Sequence, residues 1–508
     1  MNNELFLYNH NEYKEADYVV WLAFPGIYSF SMSSLGFLWL YKLIDEMENV
    51  YIERICSDTE KTKYETCDMI GFSFSFDLDF LEIFKILEKY NIPLKSKDRE
   101  NSPFVFAGGP VVSANPEPYK EFFDFFIIGD GEELNNKVVE ICRDNREKNR
   151  DEVLKILSNI DGVYVPKFKK QVIKSTKKLT DCIFTPILSE KAFFSNTFII
   201  EMSRGCANRC GFCLASYLNL PLRCVPYERL LEVIDLGLKN TNKIALLGAQ
   251  VSAHPHFNNV FKYIYDKIQS GENIEMSVSS LRVDAITPEI VKTLVACGQK
   301  NTTLAIEAGS ERLRKVINKN LTEEQIFNAV KIAKENGLKG FKFYGMIGIP
   351  TETQEDLQEM INLAKRIKQE NKGFDISFGF SSFVPKPHTP FQWQGRESTK
   401  SLEEKSNFLK KEFHKIGVPI NISSIKWDYW QAVLSRGDER LNDFALEVYK
   451  LGGKLGAFKQ SAKKYNIDTD YFANANFDLD EDLPWDFIEL KPGIEFLKQE
   501  NKRLLSGW

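Results

Sequence analysis

Short apolar runs alternate with amphipathic segments over the first 160 residues. The runs of strand length are DYVVWLAF (17–24), YIERIC, DMIGFSFS, FVFAGG and FFIIGDG, and segments such as DFLEIFKILEKY between them carry apolar residues at helical spacing. Strands that alternate with helices in this way build a parallel sheet with both faces covered. The pattern predicts a doubly wound, Rossmann-like α/β domain, which we assign to residues 1–162.

The same alternation restarts after an irregular polar stretch. Residues 163–195 contain VYVPKFKKQVIKSTKK, which predicts an exposed hairpin in a linker. From residue 196 to residue 395 six strand candidates follow, each with a helical segment after it: TFIIEMS, KIALLGAQ, NIEMSVSSL, NTTLAIEAG, GFKFYGMIGIP and DISFGFSSFVPKP. Six βα units are too few for a closed eight-stranded barrel. Residues 396–508 lose the pattern and predict a mainly helical C-terminal unit.

Composition and charge narrow the class of protein. The chain has 508 residues, of which 43% are apolar, so several globular domains are expected. The first residues lack a signal-peptide pattern, and no apolar run is long enough to cross a bilayer, so we expect a cytosolic protein with no membrane association. With a net charge of −5 the chain has no overall positive potential that would attract a polyanion, so its charge does not support nucleic-acid binding.

Three of the nine cysteines stand close together directly after the first of the six later strands. They are Cys206, Cys210 and Cys213, and about 0.003 chance matches to a fixed spacing of this kind are expected. Three thiolates can each bind a separate iron of a cluster and leave one iron open, whereas a structural zinc site needs a fourth ligand. Cys224 is the alternative fourth ligand for zinc.

The CxxxCxxC spacing with Phe212 before the last cysteine resembles the radical S-adenosylmethionine (SAM) enzymes. The resemblance implies a [4Fe-4S] cluster on the three cysteines and reductive cleavage of SAM to a 5′-deoxyadenosyl radical. It also implies an open (β/α)6 partial barrel over residues 196–395, and a low-potential flavodoxin or ferredoxin as electron donor. The substrate stays unknown.

The ends of the later strands carry residues suited to SAM. By resemblance to the family's motifs, Gly248 and Gln250 stand where a GGE motif holds the SAM amino group, with Gln in place of Glu. Residues with chemistry suited to SAM end the next three strands: Ser280, Arg282, Glu307, Gly345, Ile347 and Gly348. Gly345 to Glu352 resembles the adenine-binding GxIxGxxE motif, with its second glycine one residue early. Each strand end has ordinary turn chemistry as its alternative.

The carboxyl ends of the N-terminal strands predict a second ligand edge. Ser73, Ser75, Gly108 and Gly109 would let a ligand approach the backbone, and the order of segments resembles a cobalamin-binding-type domain. The DxHxxG motif is absent, so we expect cobalamin without a histidine ligand. Its corrin face would be covered by residues such as Tyr28, Phe30 or Met32. The alternatives are tight-turn glycines and a domain that has lost the cofactor.

The end of the sixth later strand, SFVPKPHTPFQW, carries two ionisable side chains between prolines. We predict Lys386 and His388 as catalytic residues near the substrate, with a packing histidine as the alternative. The leading function is a radical SAM enzyme, with methyl transfer through cobalamin as its more specific form. Methylthiotransfer ranks lower because it needs a second three-cysteine cluster. A non-catalytic iron-sulfur or zinc module is the alternative outside the enzymes.

Overall fold

The computed structural model describes residues 4–10, 15–168, 171–279 and 281–506. The N-terminal elements are, in chain order, β1 (Glu4–Phe6), β2 (Tyr18–Phe24), α1 (Tyr28–Ser31), α2 (Leu35–Asp45), β3 (Val50–Cys56), β4 (Met69–Ser73), α3 (Phe80–Lys89), β5 (Phe104–Gly108), α4 (Pro110–Ala114), β6 (Phe125–Ile127), α5 (Glu132–Asp144), α6 (Arg150–Leu157), β7 (Val163–Tyr164), β8 (Val172–Ile173) and β9 (Ile187–Ser189).

Six of these strands form one sheet in the order β3-β2-β4-β5-β6-β7. All its pairs are parallel except β6–β7. Within the five parallel strands the order is 2-1-3-4-5, the flavodoxin-like arrangement of doubly wound folds. The predicted α/β class is confirmed here. The crevice of such a sheet lies at the carboxyl ends of β2 and β4, where the strand order reverses.

The second α/β region follows. Its elements are β10 (Phe198–Glu201), β11 (Ser203–Arg204), α7 (Leu214–Leu218), β12 (Arg223–Cys224), α8 (Tyr227–Asn240), β13 (Lys243–Leu247), α9 (Phe257–Gln269), β14 (Glu275–Val278), α10 (Pro288–Ala296), β15 (Asn301–Glu307), α11 (Glu311–Val316), α12 (Glu323–Glu335), β16 (Gly340–Ile347), α13 (Gln354–Glu370), β17 (Asp375–Ser382), α14 (Thr399–Lys415) and β18 (Ile420–Ile422).

All six strands predicted for this region are present and parallel. They form the sheets β10-β13-β14 and β15-β16-β17-β18, which one bridge between Leu281 and Leu304 connects. The face toward the helices is buried, as Phe343 on β16 shows, while the next residue, Tyr344, is 42% exposed on the inner face. The end strands β10 and β18 are not paired with each other in the described part of the chain, so the barrel is open. The short seventh strand, β18, was missed because three residues, INI, carry too little pattern.

The last elements are α15 (Ile425–Arg436), α16 (Leu441–Lys450), α17 (Leu455–Lys464), α18 (Thr469–Asn474), β19 (Ile488–Glu489) and α19 (Ile494–Leu505). This helical region shares a hydrophobic core with one face of the N-terminal sheet. The Phe80 and Phe458 rings, for example, lie 6.3 Å apart. Among the described residues, no helix has the length and apolarity that a membrane crossing requires.

The exposed hairpin predicted after residue 162 is wrong, because its two halves pair with different strands. β7 pairs with the edge strand β6, and β8 pairs in parallel with β19. The alternating apolar residues of this stretch supply two short strands, and each extends an edge that another part of the chain offers. The domain boundaries themselves stay predictions.

Candidate functional site

The three-cysteine loop runs from Gly205 to Cys213, between β11 and α7, at the carboxyl end of the first barrel strand. Gly205 has φ +88°, and a side chain there would meet the Asn219 carbonyl oxygen at 2.4 Å, so the loop begins at a turn that favours glycine. The Gly211 N–H donates to Ile317 O at 3.0 Å, and Phe391 N–H donates to Gly211 O at 3.1 Å. The loop is therefore held to the barrel by backbone bonds.

The thiols of the loop are largely shielded from solvent. Cys206 and Cys210 are each 7% exposed, while Cys213 is half-buried. Burial raises the pKa of the Cys210 thiol to about 12, with the Lys319 ammonium acting in the opposite direction and the charges of Cys213 and Cys206 adding to the rise. The three thiols thus lie within each other's electrostatic range, and a bound cation is what would favour their thiolate forms.

The donor set suits a cluster better than a single ion. In the part of the chain that the structure describes, no three His, Cys, Asp or Glu side chains gather as one metal ion would require. A zinc ion needs every sulfur at about 2.3 Å from one centre, whereas the cysteines of an iron-sulfur cubane bind different irons. Cys224 lies on β12 opposite Ser203, and the pKa of its thiol is raised by burial alone.

Gln250 stands beside the first cysteine of the loop. Its Oε1 lies 3.2 Å from Cys206 Sγ and accepts a hydrogen bond from Asn208 Nδ2, and its Nε2 lies 3.3 Å from Ser252 Oγ. The carbonyl oxygen of Gly248 accepts from Ser279 Oγ at 3.3 Å. The end of β13 therefore reaches the cysteine loop, as predicted, but the Gln250 amide is already engaged there.

Glu307 combines backbone strain with an ion pair. Its φ is +65°, the register of β15 shifts at this residue, and the Ala308 N–H donates to Ile306 O across a three-residue turn. Non-glycine residues held in such turns cluster at functional sites. Lys319 Nζ lies 3.1 Å from Glu307 Oε1.

Lys319 connects this carboxylate to the cysteine loop. Burial lowers the pKa of Lys319, but the charges of Glu307 and Cys210 outweigh that effect, so the pKa is raised overall. The neighbouring Asn318 donates from Nδ2 to Asn208 O at 2.9 Å and to Arg209 O at 3.0 Å. A cation is therefore held between the loop and the end of β15.

Arg282 lies on the same side of the barrel. Its guanidinium binds Asp284, with Nε at 2.9 Å from Oδ1, and its charge acts on Lys319. Ser280, predicted with it, lies outside the described residues. Arg282 and Lys319 thus lie within electrostatic range of each other, each paired with a carboxylate.

The end of β16 forms a turn that a second carboxylate holds. Gly348 has φ +73°, and its N–H donates to Glu352 Oε2 at 2.7 Å. Lys405 Nζ, from α14, binds the same oxygen at 2.7 Å. At Gly345 the Phe380 ring occupies the place of a side chain, and the Ile347 side chain is fully buried. Ile347 can therefore meet a ligand only through its backbone.

The predicted ligand edge of the N-terminal sheet packs in part against the chain itself, although Gly109 also lines a cavity that faces the barrel. A side chain at Gly109 would meet the Phe74 carbonyl oxygen at 2.5 Å, and the Phe74 N–H donates to Gly108 O at 2.8 Å. Ser73 is half-buried and Ser75 is exposed. The close approach that Gly109 permits is thus made by backbone, which accords with the tight-turn alternative.

The residues expected to cover a corrin contact other parts of the N-terminal region. Tyr28 donates to Glu4 Oε1 at 2.5 Å, and Met32 Sδ accepts from Arg54 at 2.8 Å. Arg54 and Glu4 form an ion pair at 2.6 Å, so Tyr28 and Met32 meet the same pair. Phe30 lies at the surface, 49% exposed, beside Phe193. His10 is held by Asp45 at 2.8 Å, as expected for a histidine that does not reach the sheet crevice.

Lys386 and His388 lie in contacts between regions of the chain. Lys386 Nζ binds Asp77 Oδ2 at 2.8 Å and Ser435 Oγ at 2.6 Å. His388 is 6% exposed, has φ +57°, and its Nε2 lies 3.0 Å from Ala114 O. Burial lowers the pKa of His388 to about 3, so its imidazole is neutral. These contacts are structural, and the catalytic roles stay untested predictions.

A cavity of about 520 Å³ separates the N-terminal sheet from the mouth of the barrel. Its polar wall is centred on Arg204, which lies 3.0 Å from Asp130, 2.7 Å from Glu132 and 2.8 Å from Glu201. Apolar side chains such as Trp39 line the rest. The cavity extends to Gly248 and to the first residue of the cysteine loop.

Sequence reasoning missed Lys319 and Lys405. Lys319 lies between two asparagines with positive φ, Asn318 and Asn320, in the segment INKN. Paired asparagines in a short loop are a signal for left-handed turns, and they could have marked the segment. Lys405 is one of several lysines on the polar helix α14, and only the fold distinguishes it.

Two family models match the chain. The model described as "Radical SAM proteins, N-terminal" matches residues 36–166, and the model of the radical SAM superfamily matches residues 200–364. An uncharacterized protein from Methanocaldococcus jannaschii is 34% identical over 385 residues, which is 74% of this chain and 79% of that protein. A tRNA-2-methylthio-N(6)-dimethylallyladenosine synthase from Chromohalobacter salexigens is 28% identical over 214 residues, 38% of this chain and 44% of that enzyme.

Solved structures share the fold across most of the chain. The cobalamin-dependent SAM radical enzyme OxsB, with aqua-cobalamin and SAM bound, has a TM-score of 0.55 at 14% identity and covers 96% of this chain and 79% of its own. The radical SAM methyltransferase TsrM from Kitasatospora setae, with cobalamin and a [4Fe-4S] cluster bound, has a TM-score of 0.54 at 12% identity and covers 88% and 99%. At these identities the likeness shows the fold alone.

Proposed function

Because this chain belongs to the radical SAM superfamily, we propose that it reductively cleaves SAM to a 5′-deoxyadenosyl radical and uses that radical to modify an unidentified substrate. The observation that carries the proposal is the arrangement around Cys210. Two further cysteines share the loop between β11 and α7 with it, and Lys319, which binds Glu307 at 3.1 Å, lies within electrostatic range of its thiol. Membership of the family implies a [4Fe-4S] cluster and SAM.

The described residues fit that pair of cofactors. Three thiols on one glycine-shaped loop, without a fourth cysteine beside them, leave one iron of a cubane open. A bound cluster supplies the electron that SAM cleavage requires. Cys206, Cys210 and Cys213 would hold it, and the burial of two of these thiols keeps water away.

Different residues near the strand ends would then contact different parts of SAM. Lys319 and Arg282 are the cations suited to the methionine carboxylate, and Glu307 can accept from ribose hydroxyls. The turn at Gly348 brings backbone to the place proposed for the adenine. Arg282, Glu307 and Gly348 stand at the ends of β14, β15 and β16, and Lys319 lies in the loop between α11 and α12, so their geometry depends on the barrel staying intact.

We also propose a low-potential flavodoxin or ferredoxin as electron donor, and a cytosolic location. The half-buried Cys213 leaves one side of the loop within reach of a donor. All nine cysteines are free thiols, which suits a reducing compartment.

Cobalamin-dependent methyl transfer is a second candidate function, favoured by the fold shared with OxsB and TsrM. The described residues do not fit a corrin well. Tyr28, Phe30 and Met32, the residues expected to cover a corrin, do not line the cavity of about 520 Å³ between the two sheets. We derive no step through cobalamin, and its binding stays a prediction.

Methylthiotransfer has less support, although one relative carries it in its name. The three N-terminal cysteines do not share a site. Cys56 ends β3 and its Sγ lies 3.2 Å from Ser31 Oγ, whereas Cys142 and Cys67 act on Tyr18 at the opposite end of the sheet. Seven-residue strands separate these ends by roughly 20 Å.

Anaerobic reconstitution tests the proposal. We expect an electron paramagnetic resonance spectrum of the reduced cluster that changes on adding SAM, and formation of 5′-deoxyadenosine. Alanine at Cys206, Cys210 or Cys213 should abolish both signals, while Cys224→Ala, the matched control, should retain them. Loss of the cluster in the Cys224 variant would contradict the three-ligand site, and an unchanged spectrum with SAM in the wild type would contradict the function.

A further inference from the structure

The barrel interior has space around Tyr344, on the inner face of β16. Its neighbours in register on β15 and β17 are Ala305 and Gly379. Ala245 and Ser277 are paired inward-facing residues on β13 and β14, since the residues beside them on each strand are buried under the helices. Barrels of this kind usually fill such a layer with bulky branched side chains. With alanine, serine and glycine at these four positions, Tyr344 remains 42% exposed although it points into the barrel.

Lys342 shares this space with Tyr344. The two residues alternate with buried Phe343 on one strand, so their side chains point to the same face, and Lys342 Nζ lies 5.2 Å from the centre of the Tyr344 ring. A side chain at Gly379 would meet the ring at 3.2 Å and Lys342 Cε at 3.5 Å, so the glycine makes room for both. In the described part of the chain, neither the ammonium nor the phenol hydroxyl has a hydrogen-bond or ion-pair partner.

This space is also reached from the base of the barrel. With Thr303 and Ser377, its neighbours in register, Lys342 lines a cavity of about 580 Å³ at the amino ends of the strands. The described lining contains one other cation, Lys368, whose ammonium is bound to two backbone carbonyls. Its one carboxylate, Asp375, stands two residues before Ser377, which places it about 7 Å further from the Tyr344 level. Lys342 is therefore the cation of this lining that is left for a ligand.

The other end of the space faces the cysteine loop. Met346, the next inward-facing residue of β16, packs in the same apolar cluster as Phe212 of the cysteine motif. Tyr344 lies one layer deeper on the same strand, at a step of about 7 Å. A molecule resting on the Tyr344 ring would thus lie directly below the strand ends proposed for SAM.

The side chains around the space favour a planar acid. An ammonium without a partner binds a carboxylate or a phosphate by a charge-assisted hydrogen bond, and an exposed aromatic ring stacks against a planar group. The contact between Lys342 and the Tyr344 ring is worth only about 0.5–1 kcal/mol at an exposed site, so the ammonium can turn toward an anion. Ser277, which is exposed on the inner face, offers a hydroxyl to the same molecule.

We propose that the space around Tyr344 and Lys342 is the substrate site, and that it takes a small planar acid whose ring stacks on Tyr344 and whose anionic group binds Lys342 Nζ. The inference rests on the proposed function and gives its substrate a chemical class. The end of the molecule opposite the acid then faces the strand ends, where the proposed function forms the radical.

The experiment measures the binding of benzoate, phenyl phosphate and benzyl alcohol to the full chain with reconstituted, oxidised cluster, by ligand-observed NMR titration. We expect Lys342→Met to lower the affinity for the acids about tenfold or more and to leave the affinity for the alcohol within about twofold. Tyr344→Leu should lower the affinity for all three compounds about threefold to tenfold. The acid that binds the wild type more tightly shows whether the natural anion is a carboxylate or a phosphate.

Three further variants complete the design. Gly379→Val fills the space and should abolish the binding of all three compounds, while valine suits a strand. Lys365→Met removes an exposed lysine of α13, and Tyr465→Leu removes a tyrosine that is 38% exposed at the end of α17. Both of these matched controls should bind the three compounds as the wild type does.

Two results would overturn the inference. An unchanged affinity for the acids in Lys342→Met would remove the ammonium from the site, and binding that persists in Gly379→Val would place the compounds elsewhere. A wild-type protein that forms 5′-deoxyadenosine but binds neither acid would contradict the inference alone. A protein that binds the acids as expected but forms no 5′-deoxyadenosine would instead contradict the proposed function, which is a separate result.

Discussion

At the scale of single residues, Glu307 shows how the chain maintains a strained position. A carboxylate with φ +65° in a three-residue turn is costly on its own. The buried Lys319 binds it at 3.1 Å and is itself held near Cys210. The strain is thus stabilised by contacts that also define the cofactor site.

Glu307→Gln should weaken SAM binding by about tenfold and leave the cluster intact. The amide cannot hold Lys319 by charge, and the loss of one charged hydrogen bond corresponds to about 1.5 kcal/mol or more. Calorimetry with SAM measures the effect, and the cluster absorption measures its integrity. Glu324→Gln, an exposed carboxylate on α12, is the control. An unchanged affinity would take Glu307 out of the site.

His388 carries a prediction about pH. Its pKa is lowered by burial to about 3 in the folded protein, against about 6.5 when unfolded. The unfolded chain therefore takes up a proton that the folded chain does not. The stability that depends on the neutral imidazole is complete above pH 6.5 and is lost as the pH falls toward 3.

When the pH falls from 7.5 to 5.5, protonation of His388 in the unfolded chain should lower the free energy of unfolding by about 1.4 kcal/mol. His388→Asn should remove that part of the pH dependence, since asparagine tolerates positive φ and does not titrate in this range. Unfolding in urea at the two pH values, compared between wild type and variant, measures the difference. Parallel curves for the two proteins would contradict the neutral buried imidazole.

Among the secondary-structure elements, helix α14 stabilises the turn after β16. Lys405 of this helix binds Glu352 at 2.7 Å and Glu397 at 2.6 Å, and Glu352 in turn accepts from the Gly348 N–H. The Glu352 side chain is 2% exposed. The helix that follows the sixth barrel strand thus positions the strand end proposed for the adenine of SAM.

Lys405→Met should weaken SAM binding several-fold, because it leaves Glu352 buried without its cation and loosens the turn. Lys405→Arg should restore part of the affinity. Lys415→Met removes a 55% exposed lysine from the same helix and should have no effect. The measurement is SAM affinity on cluster-loaded protein. If Lys405→Met lowered the SAM affinity no more than Lys415→Met does, a positioning role for Lys405 would be contradicted.

At the scale of the whole molecule, one buried polar cluster joins all three regions of the chain. Asp77 belongs to the N-terminal sheet region, Lys386 follows the sixth barrel strand, and Ser435 lies on α15. Asn115 adds two hydrogen bonds to the carbonyls of Ser435 and Gly437. These contacts fix the N-terminal sheet against the barrel.

Lys386→Met should lower the stability of the protein by about 3–5 kcal/mol, because it leaves the Asp77 carboxylate buried without a cation. Adding Asp77→Asn should restore a large part of this loss, as a double-mutant cycle would measure. Formation of 5′-deoxyadenosine per cluster should stay close to wild type in both proteins. A stable Lys386 variant without that product would instead support the predicted catalytic role.

Local sequence patterns were sufficient to predict the two α/β regions and the cysteine loop. Runs such as FVFAGG and KIALLGAQ can be recognised as strands from the local sequence, because burial on both faces requires apolar residues throughout a short run. The cysteine motif is also local, because its three cysteines lie within eight residues. The order of the strand ends along the chain placed Gly248, Arg282 and Glu307 at one mouth for the same reason, as parallel strands end on one side.

The long-range partners of those residues are visible only in the folded chain. The pairing of Glu307 with Lys319 and of Glu352 with Lys405 depends on how helices and loops fold back, and no local pattern encodes it. The sequence likewise offered glycines at the N-terminal sheet edge for a ligand, while the fold gave the close approach at Gly109 to Phe74. Arg204 and Glu132, from different regions of the chain, meet at 2.7 Å only in the folded protein. Burial and charge pairing between distant segments are properties of the packed chain.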